Sequence, residues 1–489
     1  MISNRSKYLI AGAVAAAIGS SASWALPPSS TIDYTLYAAG GSAQANAFYV
    51  AFSDNVNNLD SYTNTTNGTD SGQYRVLFGT TKNAITFNST TIAAGKNVLY
   101  FYKFNGGSYA NGIAPQVGAG STLPYPTVAS IQAATVIPGA VAGTGVPTYA
   151  YVANTGTSAT PDWGVADLEV AMFRGLNNPT GNLGGVNKNT DGGAAPTVGA
   201  TAGIYDNLFG VAVTHNVYTD ATHPKKNFSR AEVEGIIEGT ISDWSQLFDD
   251  NGAQMAAGGI VFLDRGQGSG SKASGNQYFL CYPGCGASAR PPFSSLNNYT
   301  GTTATIAETS QDVAEASNTT LIADLKALQA AGKRGIGVLG LEFPPHGQQV
   351  SGTNTYDFVK INGVGVDTGT AGDDINGPTA TSYINVVRGN YEYYYQNSFN
   401  TRAGFLAGTS AGALFANLIK NTMSTAGFVG ADTGGAFPGG VGGTLLDADL
   451  SSTLTKGMTI NTRNKVSTAP LQPKFSATAS GIPVSSDGL

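Results

Sequence analysis

The chain has 489 residues, enough for two or more domains. Its 31 Asp and Glu outnumber its 25 Lys and Arg, which excludes a nucleic-acid partner, whose affinity comes mainly from clustered basic side chains on phosphates. Only 11% of residues are charged while 41% are hydrophobic, so a disordered chain is excluded and an uncharged polar surface over real cores is predicted.

In chain order, Arg5 and Lys7, the apolar run from Tyr8 to Ile18 and the small residues ending at Ala25 have the layout of a cleavable signal peptide at 1–25. The run is shorter than the roughly 20 residues that span a bilayer, and no later stretch replaces it, so no membrane span is expected. No cysteine stands at the expected cleavage point, so the product is expected to be periplasmic or secreted to the cell surface, and not a lipoprotein. Gly/Thr/Asn-rich segments at Asn64–Gly72, Gly139–Pro161 and Asn177–Gly203 lack apolar periodicity and read as long loop insertions.

From the middle of the chain onward the elements alternate in type. Phe209–Val213 reads as a strand. Ser229 followed by Glu232 makes a capping box for a helix carrying Val233, Ile236 and Ile237. Ile260–Leu263 reads as a buried strand, Thr320–Ala331 as a helix stopped at Gly332, and Gly335–Phe343 as another strand. Leu406–Leu418 reads as a packing helix and the tyrosine run Asn390–Tyr395 as a half-buried strand, while the chain after Gly427 reads as a Gly-rich appendage. Alternating strands and helices predict an α/β fold with buried parallel strands.

Two local features carry chemistry. Cys281 and Cys285 sit in Cys-Tyr-Pro-Gly-Cys, where an oxidising compartment favours a disulfide; a metal site would need two more ligands, and His215, His223 and His346 are isolated. The stretch Val261 to Lys272 runs from a strand through Gly266, Gly268 and Gly270 into a helix beginning near Ser271. Glycines there let backbone approach a ligand closely, a helix start offers unpaired N–H groups, and Arg265 adds a planar fork that holds two oxygens of one oxyanion. An exposed flexible loop is the plain alternative for that stretch.

The run Arg265-Gly-Gln-Gly-Ser-Gly-Ser271 resembles the Arg-x-x-Gly-Ser-Gly-Thr motif of the periplasmic phosphate-binding proteins that serve phosphate ABC transporters. Phe228 to Leu247, with Trp244, resembles the same family's helix and turn, and three further segments fall in its order: Ala39–Tyr49, Asn105–Ile113 and Asp162–Asp167. The resemblance implies a type 2 periplasmic binding protein fold, two α/β domains joined by two hinge crossings at Leu208–His215 and Tyr383–Tyr395. It divides the chain into 26–209 plus 383–430, 210–382, and an extension at 431–489. Trp244 and Leu247 are expected in the core.

Carried over residue by residue, Arg265, Ser269, Gly270 and Ser271 would hold an anion from one domain and Asp167 would meet it from the other. Ser271 stands where the family has Thr. Gly107 and Ser108 compete for one serine position, and Ser42, Ala43 and Gln44 occupy the first turn, where the family's Thr-Phe pair aligns with Ala43-Gln44. An ionised Asp167 accepts the proton that phosphate still bears at neutral pH, whereas sulfate would set two acceptors face to face. The expected protein is thus a monomeric, non-enzymatic solute-binding protein without a cofactor, whose partners are phosphate or a related oxyanion and the membrane component of an ABC transporter. Two other readings stand beside it: a surface or matrix protein reusing the binding fold, and a secreted phosphatase. Gly408-Thr-Ser410-Ala-Gly412 matches a nucleophile elbow, but that pattern needs a later histidine and His346 is the last.

Overall fold

A computed structural model of the protein describes residues 31–66, 69–136, 148–151, 156–178, 196–282, 311–315, 317–341, 349–366, 390–424 and 458–459, with single positions at 343, 345, 376 and 385. The expected signal peptide, Cys285, His346 and nearly all of the 431–489 extension lie outside the described residues.

The protein is mixed α/β, built on one 14-stranded sheet. Its first part contains β1 (Tyr34–Gly40), β2 (Val56–Thr66), β3 (Thr69–Thr81), β4 (Asn97–Lys103) and β5 (Trp163–Ala166). β1 lies between β4 and β5 and runs parallel to both. β6 (Ala200–Thr214) is the seam, and beyond it come β7 (Val261–Arg265), β8 (Gln311–Glu315) and β9 (Ile336–Gly340), with β7 parallel to both of its neighbours. The chain returns along β10 (Tyr394–Thr401), giving the order β8-β7-β9-β6-β10-β5-β1-β4-β3-β2, closed at the β2 edge by short strands at Thr148–Tyr151 and Thr135–Val136.

β6 serves both halves of the sheet. Ala200 to Leu208 pair antiparallel with β10, and from Phe209 onward the strand pairs with β9 and with Tyr356–Phe358. The expected parallel character holds only in part: β1 is parallel to β4 and β5, and β7 to β8 and β9, but β2–β3 and β3–β4 are antiparallel hairpin-type pairs and β6 and β10 pair antiparallel with their neighbours. The handover falls between Leu208 and Phe209, inside the first segment named as a crossing, and β10 continues the second.

Local signals explain the helices. α1 (Ala45–Ser53) follows β1; α2 (Arg230–Glu238) starts at Ser229, whose hydroxyl caps Glu232 N–H while Glu232 closes the capping box. α3 (Gly270–Leu280) is capped by Ser269, and α4 (Asn318–Ala330) by Ser317, two residues before the helix expected from apolar spacing alone. In α5 (Ala411–Ser424), Ser410 Oγ accepts from Ala413 N–H at 3.2 Å, so the serine of the elbow-like pattern is tied up capping a helix.

One apolar core runs through both halves, from Leu36 and Phe48 to Leu263 and Leu325, with Trp244 and Leu247 in it. Burial of such side chains contributes roughly 1.5–3 kcal/mol each. Trp163 ties the returning strand to the first half by stacking on Tyr100 at 5.7 Å and on Phe399 of β10 at 5.9 Å.

All three loop expectations need correcting, Asn177–Gly203 because β6 already begins within it at Ala200. Asn64–Gly72 was expected as a loop, yet the pairs Thr65↔Asp70 and Thr66↔Thr69 continue the β2–β3 ladder into it. Within Gly139–Pro161, Thr148–Tyr151 pairs with β2 and Thr157–Ala159 with Leu123–Tyr125. Thr and Tyr favour extended backbone whether or not the apolar alternation is present. Of the tyrosine run only Tyr394 and Tyr395 lie in β10; Tyr391, Tyr393, Tyr394 and Tyr395 are buried while Asn390 and Glu392 are exposed.

Candidate functional site

The carboxyl ends of both parallel groups meet, and the ends of such strands are where open α/β sheets place ligands. β1 leads into the turn Gly41–Gln44, β4 into a π-helical turn at Ser108–Ile113, and β5 directly into Asp167. From the other half, β7 leads into the glycine-rich turn and α3, and β8 into Ser317 and α4.

Close backbone packing fixes these turns. A Cβ at Gly112 would overlap the Val165 carbonyl, and one at Gly164 would overlap Gly112, so the π-helical turn lies directly on β5. Tyr102 donates to Gly41 O at 2.8 Å and holds the first turn down.

Asp167 is the centre of the cluster. Its Oδ2 accepts from Ser108 Oγ at 2.7 Å, and its own N–H donates back to that oxygen at 3.2 Å. Its Oδ1 accepts from Gln44 Nε2 and, at 3.4 Å, from Asn207 Nδ2. Burial pushes the Asp167 carboxyl up from its ordinary range, while the Ser108 and Gln44 hydrogen bonds and the Arg265 charge pull the other way.

The glycine-rich turn faces this carboxylate. Gly270, the first residue of α3, lies against Asp167 so closely that a Cβ there would overlap the carboxyl group. Tyr109 N–H donates to Gly268 O at 3.0 Å, Gly268 N–H donates to Asn177 O at 3.0 Å, and Asn276 Nδ2 reaches Asn177 Oδ1 at 2.7 Å. Gly107, with φ at +79°, abuts Gly268 and Ser269, and any side chain there would enter this contact. The buried Arg265 donates from Nε to Glu315 O at 3.3 Å and from its guanidinium to Asn318 Oδ1, and Ser271 Oγ lies 3.5 Å from the same Asn318 oxygen.

The structure thus brings together Arg265, Ser269, Gly270, Ser271, Asp167, Ser108, Gly107 and Gln44. Ala43 is buried in the first turn but contributes no polar side chain, and Ser42 is exposed, with its hydroxyl in none of these bonds. Sequence reasoning missed Asn207 and Asn397 on the two crossing strands and Asn318 at the start of α4. The readable signal was a polar residue inside a buried strand: Asn397 is fully buried in the middle of β10. Away from the site, Cys281 is disulfide-bonded, and Cys285 is its expected partner.

Other carboxyl groups set the response to pH. Burial pushes Asp60 and Asp162 up to about 6, and burial, with the hydrogen bond that protonated Glu315 shares with the Asp324 carboxylate, pushes Glu315 up to about 8. A carboxyl whose folded pKa lies above its unfolded value adds stability below about pH 4, and that stability is lost as pH rises through the folded pKa. Asp33, Asp220, Asp243 and Asp249 are shifted down by hydrogen bonds and act with the opposite sign, at lower pH. The thermal midpoint is therefore expected to fall between pH 5 and 8.5 when followed by circular dichroism. Glu315→Gln is expected to flatten the part above pH 7, and an unchanged slope there would count against the Glu315 assignment.

No protein-family model matches the chain, and no curated protein matches it. Among the described residues, no helix is long and apolar enough to cross a membrane, and no group of three or more His, Cys, Asp or Glu is placed to hold a metal ion.

Proposed function

We propose that the protein binds a protonated tetrahedral oxyanion, phosphate above all, between two lobes of a type 2 periplasmic binding fold. One lobe comprises 26–209 plus 383–430 and the other 210–382, with β6 and β10 as the hinge crossings. The reading includes export, delivery of the anion to the membrane component of an ABC transporter, and no catalysis. One observation carries it: the buried carboxylate of Asp167 is set against the first turn of α3, with Arg265 close enough to act on its charge. A helix start and a guanidinium attract an anion, and a carboxylate among them admits only an anion that brings its own proton.

The test is titration calorimetry of the anion-stripped protein with phosphate, arsenate and sulfate. Phosphate and arsenate keep a proton at neutral pH and are expected to bind, while sulfate is expected to give no heat. Silence toward all three would replace this reading with that of a surface protein that keeps the fold as a scaffold. Asp167→Asn replaces one acceptor by a donor, so sulfate is expected to gain at least about tenfold relative to phosphate. An unchanged ratio would remove Asp167 from the site.

A further inference from the structure

Gln44 stands in the first turn, aligned with the Phe of the resembling family and expected among the residues around the anion, yet its side chain has a geometry of another kind. The side chain is completely buried, and its Nε2 donates both to Asp167 Oδ1 and to Asn397 Oδ1, the latter at 3.0 Å. A primary amide nitrogen has two hydrogens, so both are used and none is left for an oxyanion. Its Oε1 is a buried acceptor without a hydrogen-bond partner among the described residues, so it could meet only a proton of the anion and none of its unprotonated oxygens. Asn397 lies on β10, and Asn207, the third donor toward Asp167, lies on β6. The discriminating carboxylate is thereby bonded to residues of both crossing strands, directly by Asn207 and through Gln44 by Asn397.

We propose that Gln44 is a positioning residue: its amide nitrogen fixes Asp167 as a hydrogen-bond acceptor and anchors it, through Asn397, to the returning strand β10. The consequence for anion choice rests on the oxyanion reading above; the effect on Asp167 does not. Among the described residues, the titratable groups acting on Asp167 are Arg265 from β7 and Tyr102 from β4, and neither is negatively charged near neutral pH. Ser108, Asn207 and Gly270 surround the rest and do not titrate. Burial favours the protonated carboxyl, and Gln44 is one of the donors that oppose it. Without that donor Asp167 takes up a proton at higher pH, and a protonated Asp167 donates to sulfate instead of repelling it.

The test is a ¹³C NMR titration of Asp carboxyl groups in the ligand-free, full-length protein, with Asp167→Asn assigning the resonance. The midpoint of Asp167 is expected to rise from wild type to Gln44→Leu by about one unit, and further in Gln44→Glu, where a like charge is added. Asn397→Leu leaves Gln44 in place but loosens it, and is expected to shift the midpoint the same way by less. A wild-type midpoint in Gln44→Leu, or one in Gln44→Glu no higher than wild type, overturns the proposal. Loss of packing alone does not produce this ordering, and Asn397→Leu gives the direction independently if Gln44→Leu does not fold. Failure of the wild-type protein to bind phosphate in calorimetry would remove the oxyanion reading and leave this result standing. Where phosphate does bind, the phosphate-to-sulfate affinity ratio of Gln44→Leu is expected to fall at a higher pH than that of wild type as pH is lowered.

Discussion

Arg265→Ala is expected to lower the affinity for phosphate by about two to three orders of magnitude in titration calorimetry, the range for truncating one partner of a buried, hydrogen-bonded charge pair. The fold is expected to survive, because the groups Arg265 touches keep other partners. Glu315 O still accepts from Gly266 N–H at 2.9 Å, and Asn318 Oδ1 still has Ser271 Oγ at 3.5 Å. Arg265→Lys keeps the charge and loses the planar fork, so an intermediate affinity is expected. Loss of Arg265 also removes a positive charge that favours the ionised form of Asp167. Discrimination against sulfate is therefore expected to weaken together with overall affinity. Wild-type affinity in Arg265→Ala would remove the glycine-rich turn from the binding site.

Gly270→Ala is expected to be as damaging to binding while leaving the isolated lobe intact. Gly270 is the first residue of α3 and does not need a left-handed backbone, so alanine fits the helix and even favours it by roughly 1 kcal/mol. The new methyl group would nevertheless overlap Asp167 at its Cβ and Cγ as well as its oxygen. Those atoms lie at the root of a short side chain held by Ser108, Gln44 and Asn207, so they cannot swing away. The two carboxyl edges must separate instead. Expected results are an unchanged or slightly higher thermal midpoint, loss of phosphate heat, and a larger radius of gyration in X-ray scattering than wild type. Tight phosphate binding by Gly270→Ala would show that the anion does not lie where Asp167 and α3 meet.

Local chemistry made much of this legible beforehand. Ser229 and Glu232 announce the start of α2 because both halves of the capping box lie three residues apart in the chain. The turn from Arg265 to Ser271 is likewise written in one short segment, as is Asp167 at the end of β5. Asn207 and Asn397 could not be read the same way. Their importance depends on β10 lying between β6 and β5, a long-range pairing that no local spacing encodes. Gln44 was visible as a departure from the family pattern, but its role depends on where Asn397 lies, 353 positions later. The hidden strands at Thr65–Thr66 and Thr148–Tyr151 were missed for a further reason: they are short pieces at or beside the sheet's edge, too short for Tyr149 and Tyr151 alone to mark a period-two pattern.

β6 bears on how such a molecule can change over time. It is one strand of 15 residues, with a register shift between Gly203 and Asp206, whose opposite ends belong to different halves of the sheet. Recombination has no clean breakpoint there, since exchanging one half for a foreign one would sever a backbone ladder shared by both.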